Sequence, residues 1–141
     1  MPADPDCIFC KIAAGQIPAR VVMQGPAWMA FLDVAPLSEG HVLVIPKDHY
    51  VRLHELPAEV AADMCAHLPS LGRAVLEATG AAGYNILQNN GRAAGQEVQH
   101  VHFHVIPRQE GDGLGYRWHP KSYAEGRAEQ LHARLTELLG T

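Results

Sequence analysis

Three histidines at alternate positions, in the run His100-Val101-His102-Phe103-His104, are the residues best placed to do chemistry. In an extended strand, side chains two apart share a face and sit about 6.6 Å apart along the chain. Three imidazoles would then line one surface, while Val101, Phe103 and Val105 turn the other way into a core. Three readings fit such a row. One is a half-exposed strand that tolerates histidine, whose burial preference is intermediate. Another is a set of zinc ligands, since catalytic zinc sites use three imidazoles. The third is a nucleophilic imidazole with a second imidazole stabilising the charge that develops. The stretch Gly91-Arg92-Ala93-Ala94-Gly95-Gln96 ahead of the row favours the third, because a glycine-punctuated turn can aim N–H groups at an anion, although a plain hairpin turn has the same composition. Cys7-x-x-Cys10 is a spacing used in redox exchange and metal binding. No strand leads into it and no helical run of convincing length follows, which weakens the redox reading. Cys65, beside Met64 and near Leu68 in a helical pattern, is expected in the core.

The elements that must hold these groups can be placed from apolar spacing. Val21-Val22-Met23 and Trp28 to Leu32 flank Gln24-Gly25-Pro26-Ala27 as a hairpin would, and His41 to Ile45 reads as a buried strand stopping at Pro46. Val60, Met64, Leu68, Leu71 and Val75 recur at helical spacing after Pro57, and Pro69 must kink or split that helix. Tyr84 to Gln88 leads into the turn-rich Asn89 to Gly95, and the next strand spans roughly Val98 to Ile106, stopping at Pro107. Ser122-Tyr123-Ala124-Glu125 has capping-box spacing ahead of an amphipathic helix carrying Ala128, Leu131, Leu135 and Leu138. Grouped strands predict an α+β fold with an antiparallel sheet, a long Pro-kinked helix and a C-terminal helix. The 141 residues suit one domain: a loose tail over 1–6, a core over 7–108, a loop over 109–121 and the helix over 122–141.

Composition narrows the function classes. A net charge of -4 supplies no basic field to hold a nucleic-acid backbone, which leaves a mononucleotide possible but disfavours a polymer. There is no run of eighteen apolar residues and no secretory-type leader pattern, so no membrane association is expected. Three cysteines, two of them only three apart, fit a reducing, cytoplasmic setting.

Gly95 to Ile106 resembles the signature of the histidine-triad (HIT) family, and the similarity extends through Cys7 to Ile12, Phe31 to Pro36 and Gly40 to His49. The resemblance implies a five-stranded antiparallel sheet with a long helix, two subunits commonly joined into a homodimer, and a purine nucleotide as ligand. It implies that His102 attacks the α-phosphorus to form a nucleotidyl-histidine that water cleaves, in a nucleoside phosphoramidase or dinucleoside polyphosphate hydrolase. A nucleotidyltransferase and a nucleotide sensor with vestigial hydrolysis are the alternatives. His104 and His41 would contact the phosphate, helped by N–H groups near Gly95 and Gln96, with no Mg2+ required. Asp33 would accept from the ribose hydroxyls, Ile8, Phe9 and Phe31 would bracket the base, and Asn89 would position the phosphate or its loop. By similarity to the related galactose-phosphate uridylyltransferases, Cys7, Cys10, His49 and His100 would bind a structural Zn2+, a feature many HIT members lack. Glu97 departs from the best-known branches, which carry Ser or Thr there. An ionised carboxylate cannot donate a hydrogen bond, so this side chain would turn away or face a leaving group that carries positive charge.

Overall fold

In the computed structural model, which describes residues 3–115 and 119–140, strands β1 (Val21–Gln24), β2 (Trp28–Leu32), β3 (Val42–Pro46), β4 (Gly83–Gln88) and β5 (Phe103–Arg108) form one antiparallel sheet in the order β1-β2-β3-β5-β4. Helix α1 (Ile8–Ala13) precedes the sheet, α2 (Ala58–Ala66) and α3 (Leu68–Thr79) lie between β3 and β4, and α4 (Arg127–Leu139) follows β5.

The runs Trp28-Met29-Ala30-Phe31 and Val42-Leu43-Val44-Ile45 are apolar throughout because both faces of the central strands are covered. Trp28, Ala30, Val42, Val44, Phe103 and Val105 face α2 and α3, packing with Met64, Leu71 and Val75. Met29, Phe31, Leu43 and Ile45 face the other way, against Phe9, Cys7 and Cys10 of the α1 region. Alternation therefore puts His41 with Leu43 on the α1 face, and His104, directly opposite Leu43, joins them. Trp28 Nε1–H donates to Asp63 at 2.8 Å and ties α2 to the sheet.

The expected long helix is two. His67 ends α2 and Pro69 lies in the first turn of α3, where its missing N–H costs nothing. Gly40 delivers His41 to β3: its φ of 93° is left-handed, and a Cβ there would collide with Thr79.

Four local expectations are corrected. The histidine strand starts at Phe103, so His100 and His102 precede it, and it runs through Pro107 to Arg108. Beyond Val105 the β3 ladder has ended and β5 borders β4 alone, which is where a strand accepts proline. Cys65 lies on the exposed side of α2 and not in the core. Ser122 caps nothing: Gly126, at φ 79°, is the N-cap, and its left-handed backbone ends any right-handed helix begun at Ser122. The N-terminal segment is partly anchored, since Asp4 N–H donates to Cys10 Sγ at 3.4 Å and Cys7 N–H donates to Asp4 O at 3.1 Å. Met1 and Pro2, and part of the expected loop over 109–121, fall outside the described residues.

Candidate functional site

Cys7, Cys10, His49 and His100 converge at one end of the α1 face. Their donor atoms all lie within 4.8 Å of one another. His100 Nδ1 is 3.3 Å from Cys7 Sγ and 3.6 Å from Cys10 Sγ, and His49 Nδ1 is 3.3 Å from Cys10 Sγ. A tetrahedral zinc with ordinary Zn–S and Zn–N bonds sets neighbouring donors about 3.3–3.8 Å apart, so the cluster fits the ion. The tautomer also fits: His100 Nε2–H donates to Pro46 O at 2.9 Å, which leaves a bare Nδ1 aimed at the thiols. Burial holds His100 at a pKa of about 4 and so keeps it neutral, while burial pushes the Cys7 thiol up, a cost that a cation would offset by drawing off the proton. Cys7 caps α1, the helix the sequence did not announce, and its Sγ accepts from Cys10 N–H at 3.4 Å. The Asp4 carboxylate stands 4.0 Å behind His49 Nε2.

The same His100 reaches the next histidine through its main chain. His102 Nδ1–H donates to His100 O at 2.7 Å, so the lone pair of His102 is on Nε2. His102 is 6% exposed, with the Phe9 ring edge-on at 5.1 Å and His104 at 4.8 Å. Burial lowers the pKa of His102 from 6.5, which favours the neutral imidazole. The row of three does not act as one ligand set. Among the described residues, His100 groups with the cysteines and His104 with Asp33 and His41.

His41 Nε2 lies 2.9 Å from His104 Nδ1, and both rings are kept neutral by burial, His104 at about 4. The unfolded chain takes up these protons near pH 6.5 and the folded chain only at lower pH. Stability is therefore complete above 6.5 and is lost as pH falls from there toward 4. We expect kcat/KM to hold its plateau through pH 6.5 on the way down, a profile that a stopped assay across pH 4–8 checks. An acidic limb centred at or above 6.5 would contradict buried, neutral imidazoles.

The residues expected at a nucleotide divide into three groups. Phe9 and Phe31 are buried and meet edge-on at 5.9 Å, whereas Ile8 is 48% exposed at the start of α1. Asp33 Oδ1 accepts from Ala35 N–H at 2.9 Å, while Oδ2 lies 3.8 Å from His41 and remains partly exposed. The glycine loop works differently from its expected role. Gly95 N–H and Gln96 N–H donate to Arg92 O and Gly91 O, so neither is available to a phosphate. Buried Gln96 is a strut: its Oε1 accepts from Gly91 N–H and its Nε2 donates to Val51 O, both at 2.7 Å, and to Val98 O. Asn89 Nδ2 donates to Gly95 O at 3.4 Å, in the same brace. Among the described residues, the N–H groups of Glu97 and Val98 meet no acceptor, as is also true of Gln99 and His100 in the same bend. Glu97 itself is exposed. Sequence reasoning missed the groups that orient the histidines, namely Pro46 O, His100 O and the Leu37 N–H, because main-chain atoms leave no signature in residue type.

An apolar groove of about 320 Å³ lies between α3 and β1–β3 on the opposite face and contains no titratable group. A cleft of about 630 Å³ lined by Arg20, Asp33, Pro36, Glu39 and His41 opens beside the imidazole pair.

Comparison with known proteins agrees with this arrangement. The HIT domain family matches residues 14–111. The adenosine 5'-monophosphoramidase of Schizosaccharomyces pombe is 52% identical over 134 residues, 92% of this chain and 98% of that protein. A crystal structure from Streptococcus mutans superposes with a TM-score of 0.89 at 38% identity, covering 96% of this chain and 87% of that one. A Zn-bound histidine triad family protein from Mycobacterium smegmatis gives a TM-score of 0.72 at 40% identity, covering 96% of each chain. A central antiparallel sheet, its histidine-bearing fifth strand and a match across most of the sequence place this chain in the HIT domain family.

Proposed function

We propose that this protein is a nucleotide hydrolase that cleaves at the α-phosphate of a purine nucleotide derivative, a phosphoramidate or a dinucleoside polyphosphate, through a nucleotidyl-His102 intermediate. The observation that carries this reading is the main-chain bond from His102 Nδ1–H to His100 O, which leaves Nε2 bare and fixed. The name of the S. pombe relative, an adenosine 5'-monophosphoramidase, supports the substrate class.

In the first step the Nε2 lone pair forms a bond to the α-phosphorus while the bond to the leaving group breaks with its electron pair; neutral His104 would hold the leaving atom through a hydrogen bond from Nε2–H, and the leaving atom takes its proton from solvent. In the second step water attacks phosphorus, gives its proton to solvent and releases neutral His102. The N–H groups of Glu97 and Val98 would share the phosphoryl charge, Asp33 would hold the ribose, and Phe9 with Phe31 would back the base. Zinc on Cys7, Cys10, His49 and His100 would cross-link the fold, since four protein ligands leave no position for a reactive water. Unpaired cysteines support a reducing, cytoplasmic setting, and the outer edge of β4 would let two copies join into one sheet. Among the described residues, no helix is long and apolar enough to cross a membrane.

Glu97 stands beside those two donors, where its carboxylate would repel an anionic leaving group and attract a cationic one. Glu97→Ser is expected to lower kcat/KM for leaving groups bearing an ammonium by about tenfold relative to neutral ones, on the scale of about 1.4 kcal/mol. Equal effects on both classes would show that Glu97 does not read the leaving group. The proposal as a whole is tested by assaying adenosine 5'-phosphoramidate and diadenosine polyphosphates side by side. Rapid release of AMP from either supports it, and tight AMP binding without turnover of any would make the chain a sensor.

A further inference from the structure

His41 has both ring nitrogens occupied inside the protein. The Leu37 main-chain N–H donates to its Nδ1 at 3.0 Å, and its Nε2 lies 2.9 Å from His104 Nδ1. A backbone N–H can only donate, so Nδ1 of His41 must carry the lone pair and its proton must be on Nε2. That proton is donated to His104 Nδ1, which in turn puts the proton of His104 on Nε2. The direction of the chain is thus set at its far end by an atom that cannot change role. We infer that the Leu37 N–H is a tautomer lock: acting through His41, a positioning residue, it fixes His104 as an Nε2–H donor toward the substrate.

The surroundings support this assignment. His41 is 2% exposed, so it presents no free nitrogen to a phosphate and its contribution must pass through His104. Its main chain is clamped, with N–H donating to Ser38 O at 3.1 Å and O accepting from Asp33 N–H at 2.9 Å. Ser38 Oγ donates to Pro107 O at 2.7 Å and so pins the Leu37 turn to the end of β5, the strand that carries His104. The charged or titratable groups facing the pair are Asp33 and His102, with Arg20 and Glu39 on the cleft that His41 lines. Asp33 Oδ2, at 3.8 Å from His41 Nδ1, is too far to accept a hydrogen bond, so the Asp33 carboxylate does not reverse the order. Without the lock, an Nδ1–H tautomer of His104 would meet the His41 proton head on and leave no N–H for the leaving group.

The inference rests on the proposed role of His104 but is tested separately from it. Nitrogen-15 NMR of the zinc-loaded wild-type protein is expected to show protonated Nε2 and bare Nδ1 on both His41 and His104. Protonated Nδ1 on His104 would overturn the lock, whatever the reaction proves to be. Among variants, His41→Gln supplies an N–H to His104 and is expected to stay within about tenfold of wild-type kcat, whereas the nearly isosteric His41→Glu supplies an acceptor and should lose about a hundredfold or more, with KM changing less than threefold in each. Equal losses in two variants of matched thermal stability would mean that His41 only fills space, and would overturn the inference. Leu37→Pro removes the N–H and fixes φ, and Leu37→Ala controls for the lost side chain. Where the proline variant folds, the proton of His41 should redistribute toward Nδ1 and kcat should fall about tenfold relative to Leu37→Ala, while an unchanged His41 tautomer would contradict the lock.

Discussion

His102→Ala is expected to abolish turnover, lowering kcat by at least about a thousandfold, while nucleotide affinity stays within about tenfold of wild type. The asymmetry follows from where the residue acts. In the proposed mechanism His102 supplies the electron pair that forms the new bond to phosphorus, and alanine offers nothing in its place. Ground-state affinity in that mechanism would rest on other groups: the Phe9–Phe31 pair, Asp33, and the unpartnered N–H groups of Glu97 and Val98. Steady-state kinetics with isothermal titration of AMP separates the two quantities. A variant retaining more than about a tenth of wild-type kcat would rule out attack by His102.

The second large effect is expected at the cysteine end. Purified without chelators, the protein should contain about one zinc per chain, and Cys7→Ser should lose it. A loss of about 3 kcal/mol, ordinary for the removal of a buried ligand, lowers Tm by about 10 °C in a domain of this size. Activity should fall as well, because His100 does two jobs. Its Nδ1 faces the thiols, and its carbonyl holds His102 Nδ1–H at 2.7 Å. When the ring is released from the metal, the carbonyl that sets the nucleophile's tautomer loses its anchor on one side. Elemental analysis and a thermal melt in parallel with the assay check all three effects. Protein that carries no zinc and melts no lower after Cys7→Ser would remove the metal from the account.

Side-chain identity and spacing carried much of this arrangement openly. The two apolar runs that became β2 and β3 and the break at Pro69 follow from residue types whose preferences are strong, whereas the grouping of Cys7 and Cys10 with His49 and His100 came from a family resemblance and not from spacing. What was illegible depended on the backbone. Alternation along one strand predicts His100, His102 and His104 on a common face, but the strand starts only at Phe103. The bend before it lets His100 turn to the thiols while its carbonyl meets His102. The glycine loop was legible as a turn, but its N–H groups at Gly95 and Gln96 close the turn on itself, and the unpartnered N–H groups come after it, in the bend that begins at Glu97. Ser122 shows a further limit. A capping pattern is a local preference, and the left-handed backbone at Gly126 overrides it.

The central claim is a covalent bond between His102 and a nucleotide, and intact-mass spectrometry after a rapid acid-free quench measures it directly. Protein mixed with adenosine 5'-phosphoramidate should gain the mass of one adenylyl group within the first turnover, with peptide mapping placing it on His102 and the signal absent from His102→Ala. Turnover of the same substrate with no adduct at any quench time, or an adduct mapped to His104 or His41, would contradict the mechanism.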